Sequence, residues 1–422
     1  MIATNFRKLI LPVAVAAATL AWAPARAAVF VQCPGDTDGD AQWTGGEVQP
    51  ANTTCKHLTA GDGFITMADG RNLYTFGFAD VTGTKPDQIS LDTMAANFSA
   101  PTIELKEGDD FYLTLTNVSM AMRPDLFDPH TVHFHGFPQQ PPVFDGMPEG
   151  SFGVNMGSSF TYFYRLNDPG TYMYHCHQEA TEHMQMGMLG NLYVKPRQDG
   201  TAYTVTLPDS TTRTYTKFVY NDRDGSTGYD VAKPLQLVSM DPVFHEKHLA
   251  IQPLPFKDMR DTYAMINGRG YPDTVNPNPL PTPSEVPGDP STSLNNGHQS
   301  QPVSALVTAT KGDRILLRIS NLSVTNYYTV TVQGLPMKVV GAGARQLRGP
   351  EVTPGMNDGK DLYYETSSVT LGGGESVEVL LDTSGDVAPG TYFLYTTNLN
   401  YLSNFEQDNG GMMTEIVIAA AP

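Results

Sequence analysis

The sequence predicts an all-β protein made of sandwich-type domains. Glycine and proline are abundant, at 39 and 32 residues, as expected for a chain with many turns. Short runs with alternating apolar residues, such as 110–117 and 314–321, are typical of half-buried strands. The chain also repeats itself, and its 422 residues exceed the usual length of one domain. We therefore expect at least two β-sandwich domains and no long amphipathic helix.

Residues 1–27 have the pattern of a secretory signal peptide. Arg7 and Lys8 precede an apolar run over 9–23, and Ala25-Arg26-Ala27 forms a small-residue cleavage site. The later sequence contains no run of about 18 apolar residues, so we expect no membrane span. These features predict a periplasmic or secreted protein.

The next segment, 28–57, contains two of the three cysteines. Export permits a disulfide between Cys33 and Cys55, which would leave Cys176 as the free thiol. The acidic run 36–40 faintly resembles a calcium loop but lacks the bidentate glutamate that ends such loops. We interpret it as an ordinary acidic turn.

The repeat predicts a first domain over 58–197, a linker over 198–214 and a second domain over 215–422. A proline-rich stretch within the second domain, 271–302, is predicted to be an exposed loop or a partly disordered insertion. The repeated pairs of segments are 107–119 with 311–323, 130–136 with 328–334, and 170–177 with 390–397.

More than half of the ten histidines, together with Cys176, lie between residues 130 and 188. Side chains alternate between the two faces of a strand, which sorts the candidates into two sets. Two imidazoles, a thiolate and a thioether suit a blue-copper site, and four further imidazoles suit a second metal. Structural zinc sites seldom combine one cysteine with several histidine-rich strands. The first set is His130, Cys176, His183 and Met188; the second is His133, His135, His175 and His177.

These motifs resemble those of the multicopper oxidases of the cupredoxin superfamily, which includes laccases and copper nitrite reductases. The segment His130–Gly136 matches H-x-x-H-x-H-G, 145–148 matches D-G-x-P, and 170–177 matches G-T-Y-x-Y-H-C-H. The resemblance implies two cupredoxin-like Greek-key sandwiches. It also implies that the first set binds a type 1 copper and the second set belongs to a type 2/type 3 cluster.

One departure concerns the loop after Cys176. His183 follows Cys176 by seven residues, whereas laccases typically use five; the spacing from His183 to Met188 is the usual one. A loop insertion explains the difference, and it leaves Met184 and Met186 as less favoured axial ligands.

Eight of the 18 methionines lie between Met120 and Met188. Core filling is the simpler interpretation, and binding of Cu(I) by thioethers is the alternative.

The second repeat keeps the strand pattern but has no ligand residues. The substitutions are Tyr328 for His130, Thr331 for His133, Gln333 for His135, Tyr395 for His175, Thr396 for Cys176 and Thr397 for His177. Two-domain relatives complete the distant cluster with histidines of a neighbouring second domain, which this chain cannot provide. A homo-oligomer in which two first domains join their histidines is an alternative.

These features predict an exported multicopper-oxidase-like protein. It would oxidise a reductant by one electron at a type 1 copper and pass the electron through Cys176, His175 and His177 to a copper cluster that reduces oxygen. The alternatives are a blue-copper electron carrier with a vestigial second site, a copper nitrite reductase-like protein, and a copper-binding or structural protein. The reductant is a small molecule, a metal ion or a redox protein.

The net charge and the remaining histidines give less information about function. The net charge of −18 opposes binding to nucleic acid. We expect His57, His245 and His248 to lie on the surface.

Overall fold

The computed structural model describes residues 29–91, 93–138, 140–207, 210–354 and 359–421. The predicted signal peptide, 1–27, lies outside the described residues. The all-β prediction is confirmed: strands dominate, with two short α-helices, α1 (Ala180–Gln185) and α2 (Pro242–Leu249), in the part of the chain described. Neither helix there has the length and apolar character needed to cross a membrane.

The first domain consists of two sheets around one core, to which strands of both sheets contribute buried aromatic and aliphatic side chains. Strands are numbered along the chain. One sheet has the order β2-β1-β4-β6, and its strands are β1 (Thr53–Thr66), β2 (Asn72–Asp80), β4 (Asp110–Asn117) and β6 (Ser159–Arg165). The other has the order β3-β8-β7-β5, with β3 (Ala100–Lys106), β5 (His133–His135), β7 (Gly170–His175) and β8 (Leu189–Lys195).

A short hairpin, β9 (Tyr203–Thr206) and β10 (Thr212–Tyr215), connects the first domain to the second. The second domain again has two sheets around its own core. One contains β11 (Val231–Met240), β12 (Tyr263–Ile266), β14 (Arg314–Asn321), β16 (Met337–Ala342), β17 (Arg345–Gln346), β18 (Tyr364–Thr366) and β20 (Glu375–Asp382). The other contains β13 (Val307–Thr310), β15 (Tyr328–Val332), β19 (Ser368–Leu371), β21 (Gly390–Thr396) and β22 (Met413–Ala419). The exact domain boundaries stay predictions.

The repeat extends to the pairing of individual residues. In the first domain His133 of β5 lies opposite His175 of β7. In the second domain Thr331 of β15 lies opposite Tyr395 of β21, at the equivalent place. The second domain therefore keeps the sheet geometry of the first domain while placing a hydroxyl and a phenol where the first domain has two imidazoles.

The two domains meet across a buried polar seam between β7 of the first domain and β14 and β20 of the second. The Glu378 carboxylate accepts a hydrogen bond of 2.8 Å from the Thr171 backbone N–H, and Arg318 donates one of 3.1 Å to the Thr171 hydroxyl. Arg318 and Glu378 are both fully buried and are neighbours across the two strands. Because buried charges are costly unless partnered, these contacts fix how the second domain lies against the first.

The proline-rich stretch 271–302 is an irregular loop with two short 3-10 turns, and side chains within it anchor it to the first domain. The Asn295 side chain exchanges two hydrogen bonds of 2.8 Å with the backbone of Phe64 in β1. Gln301 accepts a hydrogen bond from Thr66 at the end of the same strand, and buried Arg269 donates to the Gln301 carbonyl. Side-chain to backbone bonds therefore hold this stretch against the first domain, an effect that prolines in a sequence do not reveal.

The N-terminal segment is held by the predicted disulfide. Cys33 and Cys55 are bonded, both are buried, and Cys55 belongs to β1. Cys176 is the free cysteine and is also buried. The disulfide prediction is confirmed.

Candidate metal centre

The first predicted ligand set forms a compact cluster in the core of the first domain. The Sγ atom of Cys176 lies 3.2 Å from Nδ1 of His183 and 4.0 Å from Nδ1 of His130. All three side chains are fully buried, and their ligand atoms lie within 4.8 Å of one another. Met188 is fully buried in the same apolar core, and its carbonyl accepts a hydrogen bond of 3.0 Å from the Cys176 N–H.

The donor set fits a type 1 copper chemically. Burial lowers the pKa of His183 to about 4 and holds that of His130 well below its usual range, so both imidazoles are in the neutral form that can bind a metal ion. Burial also raises the pKa of the Cys176 thiol to about 11, which opposes the thiolate without a cation beside it. A soft metal ion between one sulfur and two imidazoles would remove this penalty.

The second predicted set lies at the open end of β5 and β7. Nitrogens of His133, His135 and His175 lie within 4.8 Å of one another, and the His135 Nδ1 to His175 Nε2 distance is 3.3 Å. The ring centroid of half-buried His177 lies 4.9 Å from that of His133. The structure thus brings all four histidines together. In three of them, His133, His135 and His175, one ring nitrogen lies within 4.8 Å of a nitrogen of each of the other two.

Backbone carbonyls decide which imidazole nitrogens face the cluster. His133 Nδ1–H donates to the carbonyl of Asp145 at 2.6 Å, and His175 Nδ1–H donates to the carbonyl of Cys176 at 2.8 Å. A neutral imidazole carries one N–H, so the lone pair of each of these two rings is on Nε2, the nitrogen that faces the cluster. Burial and the neighbouring imidazoles lower the pKa of His135 and His175, which keeps these rings in the neutral, metal-binding form.

A cavity of about 220 Å³ opens over His135, His175 and His177. Ala180 and Met184 of α1 line it from the first domain. The second domain of the same chain forms the opposite wall with Leu322, Ser323, Val324, Gly373 and Gly374. A Cβ atom built on Gly374 would lie 2.6 Å from Nε2 of His135, so this turn touches the cluster.

Several residues that support the two clusters were missed from the sequence. The Thr131 N–H donates to Cys176 Sγ at 3.4 Å, and the Thr131 hydroxyl accepts from the His177 N–H at 3.0 Å. Gly146 packs beneath His133, where an added Cβ would lie 2.2 Å from the Val132 carbonyl oxygen. Threonine between two ligands and glycine in D-G-x-P were visible in the sequence, but their contacts depend on tertiary structure.

The expected surface position of three histidines was wrong. His57 is fully buried in β1 and hydrogen-bonds the Thr116 hydroxyl at 2.7 Å. His245 and His248 are buried on α2, whose apolar side packs on the first domain. His245 Nε2 lies 3.0 Å from the Gln185 carbonyl, and His248 Nε2 lies 2.7 Å from Glu182, so both contact helix α1 beside His183. Both histidines therefore pack against the helix that carries His183.

Comparison with known proteins is consistent with this geometry. Two sequence profiles, both described as multicopper oxidase, match residues 81–199 and 261–417, which together make up well over half of the chain. The chain belongs to the multicopper oxidase family. The first matched region covers most strands of the first sandwich and the second covers most strands of the second, in which the positions equivalent to the histidines and Cys176 of the first domain carry other residues.

Solved structures show the same fold. The blue copper oxidase from Nitrosomonas europaea is 22% identical, with a TM-score of 0.58, over 87% of this chain and 86% of that chain. The copper nitrite reductase from Nitrosomonas europaea is 15% identical, with a TM-score of 0.53, over 87% of this chain and 94% of that chain. At these identities the likeness shows the fold alone.

Curated relatives match over shorter stretches. Multicopper oxidase MCE from Talaromyces pinophilus is 33% identical over 27% of this chain and 18% of its own length. Copper resistance protein A from Pseudomonas syringae pv. tomato is 24% identical over 65% of this chain and 41% of its own length. The chain therefore spans less than half the length of these multicopper oxidase relatives.

Proposed function

We propose that this multicopper oxidase family member is an exported copper redox protein. The side chains of His130, Cys176, His183 and Met188 would hold a copper that accepts one electron from a reductant. Those of His133, His135, His175 and His177 would hold the copper to which that electron is passed. The acceptor there is oxygen or another small oxidised molecule such as nitrite. The observation that carries the proposal is the adjacency of Cys176 and His175, which belong to the two different clusters.

Copper at these two places would supply one-electron oxidation and reduction. The chain supplies the connection between them. From Cys176 Sγ the covalent path runs through the backbone to the His175 imidazole, and the His175 Nδ1–H bond to the Cys176 carbonyl provides a second, shorter path. The same hydrogen bond turns His175 Nε2 toward the second cluster. His175 would therefore both bind copper there and connect it to Cys176.

Water is excluded from the first cluster and admitted to the second. His130, Cys176 and His183 are each fully buried. His135 and His177 are only partly buried and line the cavity between the domains. This difference suits electron transfer at the first cluster and binding of a small acceptor at the second.

A blue-copper electron carrier is the second candidate, because the wall facing the histidines contributes aliphatic, serine and glycine residues. In that case the four histidines would be a vestigial site that holds no copper. The two functions differ in copper content. Elemental analysis of the exported protein, together with EPR spectroscopy, is expected to find more than one copper per chain; a single copper per chain would favour the carrier.

The reductant is proposed from chemistry alone. A phenol, Mn(II), Fe(II), Cu(I) or a redox protein is compatible with a type 1 copper. The net charge of −18 favours a cationic reductant, because it raises the local concentration of positively charged donors. Steady-state oxidation rates across this set, measured at low and high salt, would distinguish a cationic donor by its steeper salt dependence.

A further inference from the structure

The cavity over the histidine cluster is lined by one thioether in addition to the imidazoles. Met184 lines it together with His135, His175 and His177. We propose that the Met184 thioether is an additional ligand of the copper held by the histidine cluster, and that this soft ligand favours Cu(I) there. The inference rests on the second copper site of the proposed function and adds a ligand and an oxidation state to it.

Helix α1 distributes its side chains between the two clusters. Ala180 and Met184 are four residues apart, so they lie on one face of the helix, and both line the cavity. His183 points the other way, into the core, where its Nδ1 meets Cys176 Sγ. One short helix therefore presents an imidazole to the first cluster and a thioether to the second.

The wall of the cavity formed by the second domain contains no side chain that binds copper well, so ligands must come from the first domain. The second-domain side chains and backbone at the cavity, 322–324 and 373–374, include no imidazole, thiol or thioether. The sequence after His298 contains neither histidine nor cysteine. Sharing the cluster with a second copy of the chain would require the Gly374 turn to move away from His135. Among the residues lining the cavity, Met184 is the remaining soft donor.

Thioethers select Cu(I), whereas imidazoles accept both Cu(I) and Cu(II). A methionine packed entirely in the apolar core would only fill space. Met184 is instead half-buried: it packs against the apolar cluster that contains Phe98 and Met240, and it also lines the cavity. The small Ala180 side chain leaves room beside it. This position gives the thioether access to an ion held by the imidazoles.

The test isolates the second cluster by removing ligands of the first. In a full-length Cys176→Ser, His130→Ala protein, Cu(I) is titrated without oxygen in competition with a chromophoric Cu(I) chelator, and Cu(II) is titrated separately. Met184→Leu in this background is expected to weaken Cu(I) binding by about tenfold, the lower end of what losing a supporting group costs a metal site. Cu(II) binding should change less than Cu(I) binding.

Met265→Leu is the matched control, because Met265 is buried in the same apolar cluster but does not line the cavity. It should leave Cu(I) affinity unchanged. His135→Ala should weaken binding of both ions, which assigns the titrated ion to this cluster. Equal Cu(I) affinity in Met184→Leu and its parent would overturn the inference and leave the proposed function standing.

X-ray absorption of the Cu(I)-loaded parent protein gives an answer even if Met184→Leu does not fold. A sulfur scatterer beside nitrogen scatterers is expected, and it should persist in Met265→Leu. Scattering from nitrogen and oxygen alone would overturn the inference. A parent protein that binds neither Cu(I) nor Cu(II) would overturn it together with the second copper site.

Discussion

His175 and Cys176 are neighbours in the chain, yet their side chains belong to different clusters. The Cys176 sulfur lies 3.2 Å from His183 in the core, while His175 Nε2 lies 3.3 Å from His135 at the cavity. Strand alternation at the end of β7 produces this division. Two clusters of candidate metal ligands joined by one peptide bond follow directly from it.

Removal of the Cys176 thiol should remove the type 1 site. The copper-loaded protein is expected to be blue, and Cys176→Ser should lose both the colour and the narrow hyperfine splitting in the EPR spectrum. The fold should survive, because serine is smaller than cysteine and the disulfide joins the other two cysteines. Visible absorption and EPR measure the effect, with the exposed His298→Gln variant as the control. A blue Cys176→Ser protein would show that the assignment is wrong.

The disulfide should stabilise the first domain without affecting copper. Opening the loop between Cys33 and Cys55, a sequence separation of 22, should lower the free energy of unfolding by about 3 kcal/mol in the chain-entropy model. The double variant Cys33→Ser, Cys55→Ser tests this by denaturant unfolding. Its copper content should equal that of the wild type, and a stability equal to that of the wild type would contradict the prediction.

Acidification should destabilise the protein through buried His57. Burial lowers the pKa of His57 to about 4 in the folded state, against 6.5 when it is free. Between these values the unfolded chain binds the additional proton, so stability is full above pH 6.5 and falls as the pH drops toward 4. The loss from this residue is about 3 kcal/mol.

The measurement for His57 is the slope of unfolding free energy against pH. His57→Gln should flatten that slope between pH 6.5 and 4 by up to one proton, and exposed His298→Gln should leave it unchanged. Identical slopes in His57→Gln and the wild type would refute the role assigned to this residue.

The second domain should contribute no copper. Thr331 and Tyr395 occupy the register positions of His133 and His175, so matched substitutions compare the two domains directly. Thr331→Val with Tyr395→Phe should leave the copper content unchanged. His133→Ala with His175→Ala should remove the second copper and keep the blue colour. Copper loss in the Thr331→Val, Tyr395→Phe protein would contradict the alignment of the repeat.

Much of the fold could be predicted because strand alternation and turn residues are local signals. The same alternation sorted His130 and Cys176 from His133 and His175, since it depends only on parity along a strand. The burial of His245 and His248 could not be predicted, because it depends on α2 packing against the first domain, where the partners of His245 lie 60 and 171 positions away in the chain. The wall at Gly374 likewise depends on how two domains dock, which no local pattern specifies.

Copper counting combined with EPR spectroscopy tests the central claim most directly. The account predicts two coppers per chain, one of them giving the type 1 signal that requires Cys176. It also predicts that Cys176→Ser keeps the copper at the histidine cluster. A wild-type protein that holds one copper per chain, and loses it entirely in Cys176→Ser, would contradict the account.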